Sequence, residues 1–246
     1  GSNYFFTFNY QNWPLAATLE IMLEQLENEK TVTWIDLTGR LAASHEFPLA
    51  DRLHYRITRN RILKSGLTNK LNLVYQNKFR TIDINKDITT STRVSGIASE
   101  VAYLELIAMV REAEPCKEEY RLKLKQYQKT YLKVYFATIK ILENKKVEKV
   151  YLYNGRFLQE KAVWDACIFL GITVIFFEKF HPNWTDRYFL FEKPTHSPEY
   201  RGSVMQNFGE RLEEENPKLF LEAGSKWFEN RILGKTQDFT SKQITN

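Results

Sequence analysis

The sequence predicts an α/β fold in which a mostly parallel sheet is covered by helices on both faces, and three observations carry that expectation. An apolar β run, Val147–Tyr153, is followed at once by a helical period, Leu158–Leu170, and then by a second apolar run, Ile172–Phe177. A like alternation opens the chain, at Tyr4–Phe8, Trp13–Leu26 and Thr31–Leu37. Between the two lies a long amphipathic stretch, Lys117–Glu143, whose apolar residues recur at three- and four-residue spacing. The 246 residues, 43% hydrophobic and 14% aromatic, suffice to bury a substantial core, which excludes disorder for most of the chain.

The opening elements read as a βαβ unit. Leu15, Leu19, Met22, Leu23 and Leu26 keep a helical period, and Thr31–Leu37 returns to β-branched and apolar residues. The first loop, Asn9-Tyr10-Gln11-Asn12, lacks the glycine fingerprint that lets a backbone approach a pyrophosphate. Its amides, Asn9 and Asn12 among them, suit sugar hydroxyls better. Thr38–Pro48 follows the second strand as a loop at the same carboxyl edge, and its His45-Glu46 pair is a candidate acid/base, since an unperturbed histidine titrates near neutrality. The bland reading of His45 is a solvated loop side chain.

Leu71–Tyr75 and Phe79–Ile84 read as short strands joined by a polar turn, and their order in the sheet is not legible. Ser95–Val110 reads as a helix. In Lys117–Glu143 the stripe Tyr120, Leu124, Tyr127, Tyr131, Val134, Thr138 and Ile141 is most simply core packing, with a partner or membrane-surface contact as the alternative. Gly171 stops the helix that ends at Leu170. Arg187–Phe191 adds a further strand, Ser203–Glu213 and Pro217–Leu233 two closing helices, and Gly234–Asn246 is a patternless polar tail. The alternation is that of a Rossmann-like domain, expected over residues 3–233. Gly1-Ser2, without a starting methionine, reads as the remnant of a cleaved tag.

A formal charge of +5, from 35 basic against 30 acidic residues, is too mild to name a partner, so distribution matters more. Arg52, Arg56 and Arg59 follow i, i+4, i+7 spacing, with Arg61 and Lys64 close by and Leu49, Leu53 and Ile57 as the neighbouring apolar stripe. Such a row is either a solvated helix face or a site for an anionic acceptor or phospholipid surface. Nucleic acid is excluded by the want of zinc-finger spacing, an RNA-binding signature or a strongly basic domain. No apolar run approaches the roughly 20 residues of a membrane span, and no signal peptide is legible. Cys167 falls among apolar residues and Cys116 in a charged turn, and neither reads as a disulfide partner or a metal ligand.

The sharpest signal is Asn154-Gly155-Arg156-Phe157, between the strand Val147–Tyr153 and its helix, because open α/β sheets bind ligands at the carboxyl ends of their strands. A cation beside a helix start opposes the local dipole by roughly 0.3–1 kcal/mol, so an anion is expected nearby. Arg156 either contacts a phosphate, carboxylate or hydroxyl of a ligand or pairs with Glu178 at the end of the next strand. The loop Glu178–Asp186 adds His181, Asn183 and Trp184, and His196 follows.

The aromatic-rich opening unit, the strand ending Tyr-Asn-Gly-Arg-Phe, the helix with Lys161, Ala162 and Ala166, and Gly-Ile-Thr-Val-Ile-Phe-Phe-Glu together resemble the amino-terminal domain of bacterial surface or capsular polysaccharide glycosyltransferases of the GT-B type. The likeness centres on Val147–Glu178, is looser at Tyr4–Leu37 and is nearly absent over Thr38–Glu143; Lys179 departs from the small residue expected there. It implies an acceptor-side domain facing a carboxyl-terminal domain that holds a nucleotide-sugar donor, with residues 234–246 leading toward that domain and no transfer by this part alone. It further implies Asn154, Gly155, Arg156 and Glu178 lining the cleft, no cofactor, and a cytoplasmic enzyme with a peripheral contact at the inner membrane face left open. Among bases, Glu178 precedes Asp36, which lies within a strand, and His45. The competing class is a non-catalytic binding or assembly module. A complete methyltransferase or hydrolase lacks its glycine-rich loop or Gly-x-Ser-x-Gly elbow.

Overall fold

A computed structural model describes residues 1–8, 12–37, 49–64, 71–74, 92–179, 188–194 and 197–233. The expected strand Phe79–Ile84, the loop residues Asn9 and His45, the segment 180–187, His196 and the tail 234–246 lie outside the described residues.

Alternate side chains of the first strand enter two different cores, as the two-residue period of a strand requires when both faces are covered. Strands β1 (Ser2–Thr7), β2 (Thr31–Asp36), β3 (Leu71–Val74), β4 (Val147–Tyr153), β5 (Val174–Lys179) and β6 (Tyr188–Phe191) form one sheet of order β3-β2-β1-β4-β5-β6. The first five are parallel and β6 runs antiparallel to β5. On one face Phe5, Val32, Trp34, Tyr151 and Phe177 pack with Leu15, Ile21 and Met22 of α1 (Asn12–Glu27) and Tyr55 of α2 (Leu49–Lys64). On the other, Tyr4, Phe6, Ile35, Val150, Leu152 and Phe176 pack with α3 (Thr92–Val110), α4 (Arg121–Leu142) and α5 (Leu158–Leu170). This is the expected Rossmann-like, helix-covered architecture. The chain builds outward from β1 through β2 to β3, then returns to β4 on the other side of β1, so the topological reversal lies between β1 and β4.

Local chemistry explains where the element ends moved. Strand β5 starts at Val174 rather than Ile172 because the Ile172 N–H closes α5, donating to Cys167 O at 2.9 Å, while Gly171 takes the left-handed conformation at φ 68°. Helix α6 (Pro198–Glu215) starts ahead of the expected Ser203, since the Ser197 hydroxyl accepts from the Tyr200 N–H at 3.4 Å and Pro198 fits the first helical turn. Asn216 then caps α7 (Pro217–Ile232) by accepting from the Leu219 N–H at 3.1 Å. Tyr127, Tyr131, Val134 and Thr138 of α4 are buried, so that stripe is core packing. Cys116 and Cys167 are both free, and burial pushes the Cys167 thiol up to about 12. The chain divides into two compact units, Gly1–His196 with the sheet and Ser197–Asn246 with α6 and α7. No described helix is long and apolar enough to cross a membrane.

One helix face is reversed from expectation. Helix α2 turns Tyr55 and Ile62 to the core and leaves Leu49, Leu53 and Ile57 exposed. Arg59, expected in the outward basic row, instead pairs with the buried Asp36. A side chain that can satisfy a buried carboxylate outranks the apolar stripe here, because an unpaired buried charge is the costlier error.

Candidate functional site

The carboxyl edge is built from the exit of β4. Asn154 and Gly155 both adopt left-handed backbone, at φ 59° and 77°. Gly155 is obligatory on space as well as conformation, since a Cβ there would lie 2.4 Å from Cε1 of Phe176. Asn154 tolerates the left-handed region because its short amide bonds locally: Oδ1 accepts from the Arg156 N–H at 3.2 Å, and Nδ2 donates to Glu178 Oε2. The other Glu178 oxygen accepts from the Tyr153 hydroxyl at 3.1 Å. Burial, then the Glu178 charge, raises the Tyr153 phenol well above its ordinary value, which keeps it a donor. Asn154, Gly155 and Glu178 are thus brought together at adjacent strand ends.

Arg156 does not form the pair with Glu178 that the sequence offers as one reading. Its guanidinium lies 5.1 Å from the Phe157 ring centroid, the residue is exposed, and among the described residues it forms no ion pair, with Glu178 or any other acid. The anion expected at the helix start is present but serves the helix itself. Glu105 of α3, 7% exposed, accepts from the Leu158 N–H at 3.1 Å and so satisfies an orphan donor of α5.

The second component is a small cavity of about 10 Å³ at the reversal point, lined by Thr7, Pro14, Thr18, Tyr55, Tyr153 and Glu160 among others. That is room for about one water or hydroxyl oxygen. Most polar groups around it are committed: the Thr18 hydroxyl donates to Pro14 O at 2.6 Å, Thr7 Oγ1 accepts from Trp34 Nε1 at 3.0 Å, and the Tyr55 hydroxyl donates to Asp36 at 3.1 Å. Glu160 differs. It is 2% exposed, and its Oε2 has no hydrogen-bond partner among the described residues. Burial, against a lowering from its own backbone N–H and with the Glu105 charge adding to it, pushes the carboxyl up to about 8. At neutral pH it is mostly a neutral acid, able to donate one hydrogen bond and accept others.

Of the remaining candidates, Asn12 opens α1, Arg52 lies in α2, and Arg56 is exposed one turn further along. Sequence reasoning missed Glu160, Glu105 and Tyr153. The signal for Glu160 was slight, an acidic residue in the first turn of a helix, which ordinarily means a solvated side chain complementing the dipole. Fold and edge together define a doubly wound α/β domain whose strand order reverses between β1 and β4, the place where open α/β sheets bind ligands. Comparison with family models, with curated proteins and with solved structures gave no match.

Proposed function

We propose that this chain is the acceptor-binding side of a cytoplasmic, two-domain glycosyltransferase, holding a hydroxyl of a cell-surface polysaccharide or glycolipid at the carboxyl edge between β1 and β4. The observation that carries the reading is the juxtaposition at that edge of an unpaired, exposed guanidinium, Arg156, with the Tyr153–Asn154–Glu178 cluster and the buried acid Glu160. Hydroxyl ligands are recognised by such mixed donors and acceptors, and the crevice lies where open α/β sheets bind. The likeness of Val147–Glu178 to surface-polysaccharide glycosyltransferases supports the same reading.

In the transfer, the acceptor oxygen bonds to the anomeric carbon of the sugar while the bond from that carbon to the nucleoside diphosphate breaks. The acceptor proton passes to a protein base when the anomeric centre inverts. Glu178 suits that role better than Glu160, being half-buried rather than enclosed, and Tyr153 and Asn154 hold its two oxygens in place. A second domain would bring the nucleotide sugar and stabilise the departing diphosphate.

Titration of this chain with an oligosaccharide or a polyprenyl-diphosphate sugar, followed by NMR, tests the proposal. Saturable binding is expected, weakened about tenfold or more by Arg156→Ala through loss of a charged hydrogen bond, with an unchanged unfolding midpoint. Absence of saturable sugar binding, or binding indifferent to Arg156→Ala, refutes it. One observation favours a non-catalytic binding module instead: Phe208, Leu221, Phe228 and Ile232 of α6 and α7 are exposed. Tight binding of a protein without any sugar would select that reading.

A further inference from the structure

Helix α2 carries its apolar stripe away from the core. Among the described side chains, its inner side presents Tyr55, which is 2% exposed, Ile62 packed on the same core, and Arg59 paired with Asp36. Leu49, Leu53 and Ile57, spaced i, i+4, i+8, form one strip along the opposite side and are 72%, 57% and 46% exposed. Arg56, Arg61 and Lys64 are exposed with them, and Asp51 is the one acidic residue between Leu49 and Lys64. Three branched aliphatic side chains in a row, whose described charged neighbours on the helix are cations, are poorly matched to water alone.

The charge border selects among occupants. Exposed apolar residues on α6 and α7 stand in a mixed setting, with the Arg211 guanidinium over the Phe208 ring and Lys218 and Lys226 interspersed with Glu210, Glu213, Glu214, Glu215, Glu222 and Glu229, so neither sign of charge dominates their border. The α2 strip differs in that its exposed charged neighbours among the described side chains, Arg56, Arg61 and Lys64, are all cations. We propose that α2 docks this chain on an anionic phospholipid surface, with Leu49, Leu53 and Ile57 entering the headgroup boundary and Arg56, Arg61 and Lys64 meeting lipid phosphates. The strip is well placed to matter. Tyr55 in the second turn of α2 bonds Asp36 at the carboxyl end of β2, so the amino-terminal half of the helix stands at the same sheet edge as the crevice. Docking there brings the crevice close to the lipid surface, whether or not the ligand is a sugar.

Cosedimentation with vesicles tests this, comparing phosphatidylcholine alone with phosphatidylcholine containing about one phosphatidylglycerol in three lipids. The chain is expected to partition onto the mixed vesicles and to leave them as salt is raised. Arg56→Gln with Arg61→Gln should weaken partition about fivefold for each charge removed. The triple change Leu49→Ser, Leu53→Ser and Ile57→Ser should weaken it about tenfold or more. Both variants should keep the parent's unfolding midpoint, as all five side chains are exposed. Equal partition onto the two vesicle types overturns the proposal, as does undiminished binding by the triple variant. Sedimentation velocity adds a further arm: self-association lost in the triple variant, with no vesicle binding in the parent, would assign the strip to a second copy and overturn lipid docking.

Discussion

Two acids at the same sheet edge are almost equally buried, Asp36 at 1% exposure and Glu160 at 2%, yet their surroundings are opposite. Asp36 is met from several sides, accepting from the Thr7 hydroxyl at 3.4 Å and the Tyr55 hydroxyl at 3.1 Å and pairing with Arg59. Glu160 has a cavity on one side and a carboxylate, Glu105, as its charged neighbour. Burial therefore does not decide whether a carboxyl group is satisfied; the neighbours brought to it do. The saturated acid ties α2 to β1 and β2 and reads as structure. The unsaturated one, among the described residues, leaves a carboxyl oxygen without a hydrogen-bond partner beside a small cavity.

The comparison can be broken most severely at Asp36. Arg59→Leu strands the carboxylate in the core and is expected to lower stability by about 3–5 kcal/mol, seen as a shift of the urea midpoint. A midpoint that stays put would mean that the hydroxyls alone suffice.

Glu160 sharpens the contrast through pH. Its folded carboxyl keeps a proton up to about 8, whereas in the unfolded chain it releases the proton near the ordinary value of 4.5. The raised group thus contributes stability that is fully present below about pH 4.5 and is lost as pH rises through about 8. Urea unfolding at pH 5 and pH 8 should show the parent losing stability on the order of 3 kcal/mol relative to Glu160→Gln, which cannot ionise. Parallel pH profiles would show that the carboxyl finds a partner after all.

The smallest effect belongs to the neighbouring strand end. Tyr153→Phe removes the Tyr153 hydrogen bond to Glu178 and should lower stability by about 1 kcal/mol, with a change in the Glu178 carboxyl carbon's chemical shift in NMR spectra. No change in either would detach Tyr153 from the cluster.

What was legible in the chain is the part governed by near neighbours. Val147–Tyr153 and Leu158–Leu170 are found within the bounds that periodicity gives them, because a covered strand followed by a helix leaves its pattern in consecutive residues. Gly171 stops its helix for a reason that a single residue carries. Asn154-Gly155 likewise marks a turn whose left-handed backbone those two residue types favour. What only the tertiary structure decided involves partners distant in sequence. The order of the strands, and with it the reversal between β1 and β4, depends on which edges pair across more than a hundred residues. Arg59 turns inward because Asp36 waits there, which rotates α2 and sends Leu49, Leu53 and Ile57 out to solvent against their own apolar character. Glu160 is a charged-type residue at a helix start by sequence, and becomes a neutral, unsatisfied acid only when α1, α2, β1 and β4 close around it. Local periodicity is set by the geometry of the backbone, whereas the charge state and outlook of a side chain are set by whatever long-range packing places beside it.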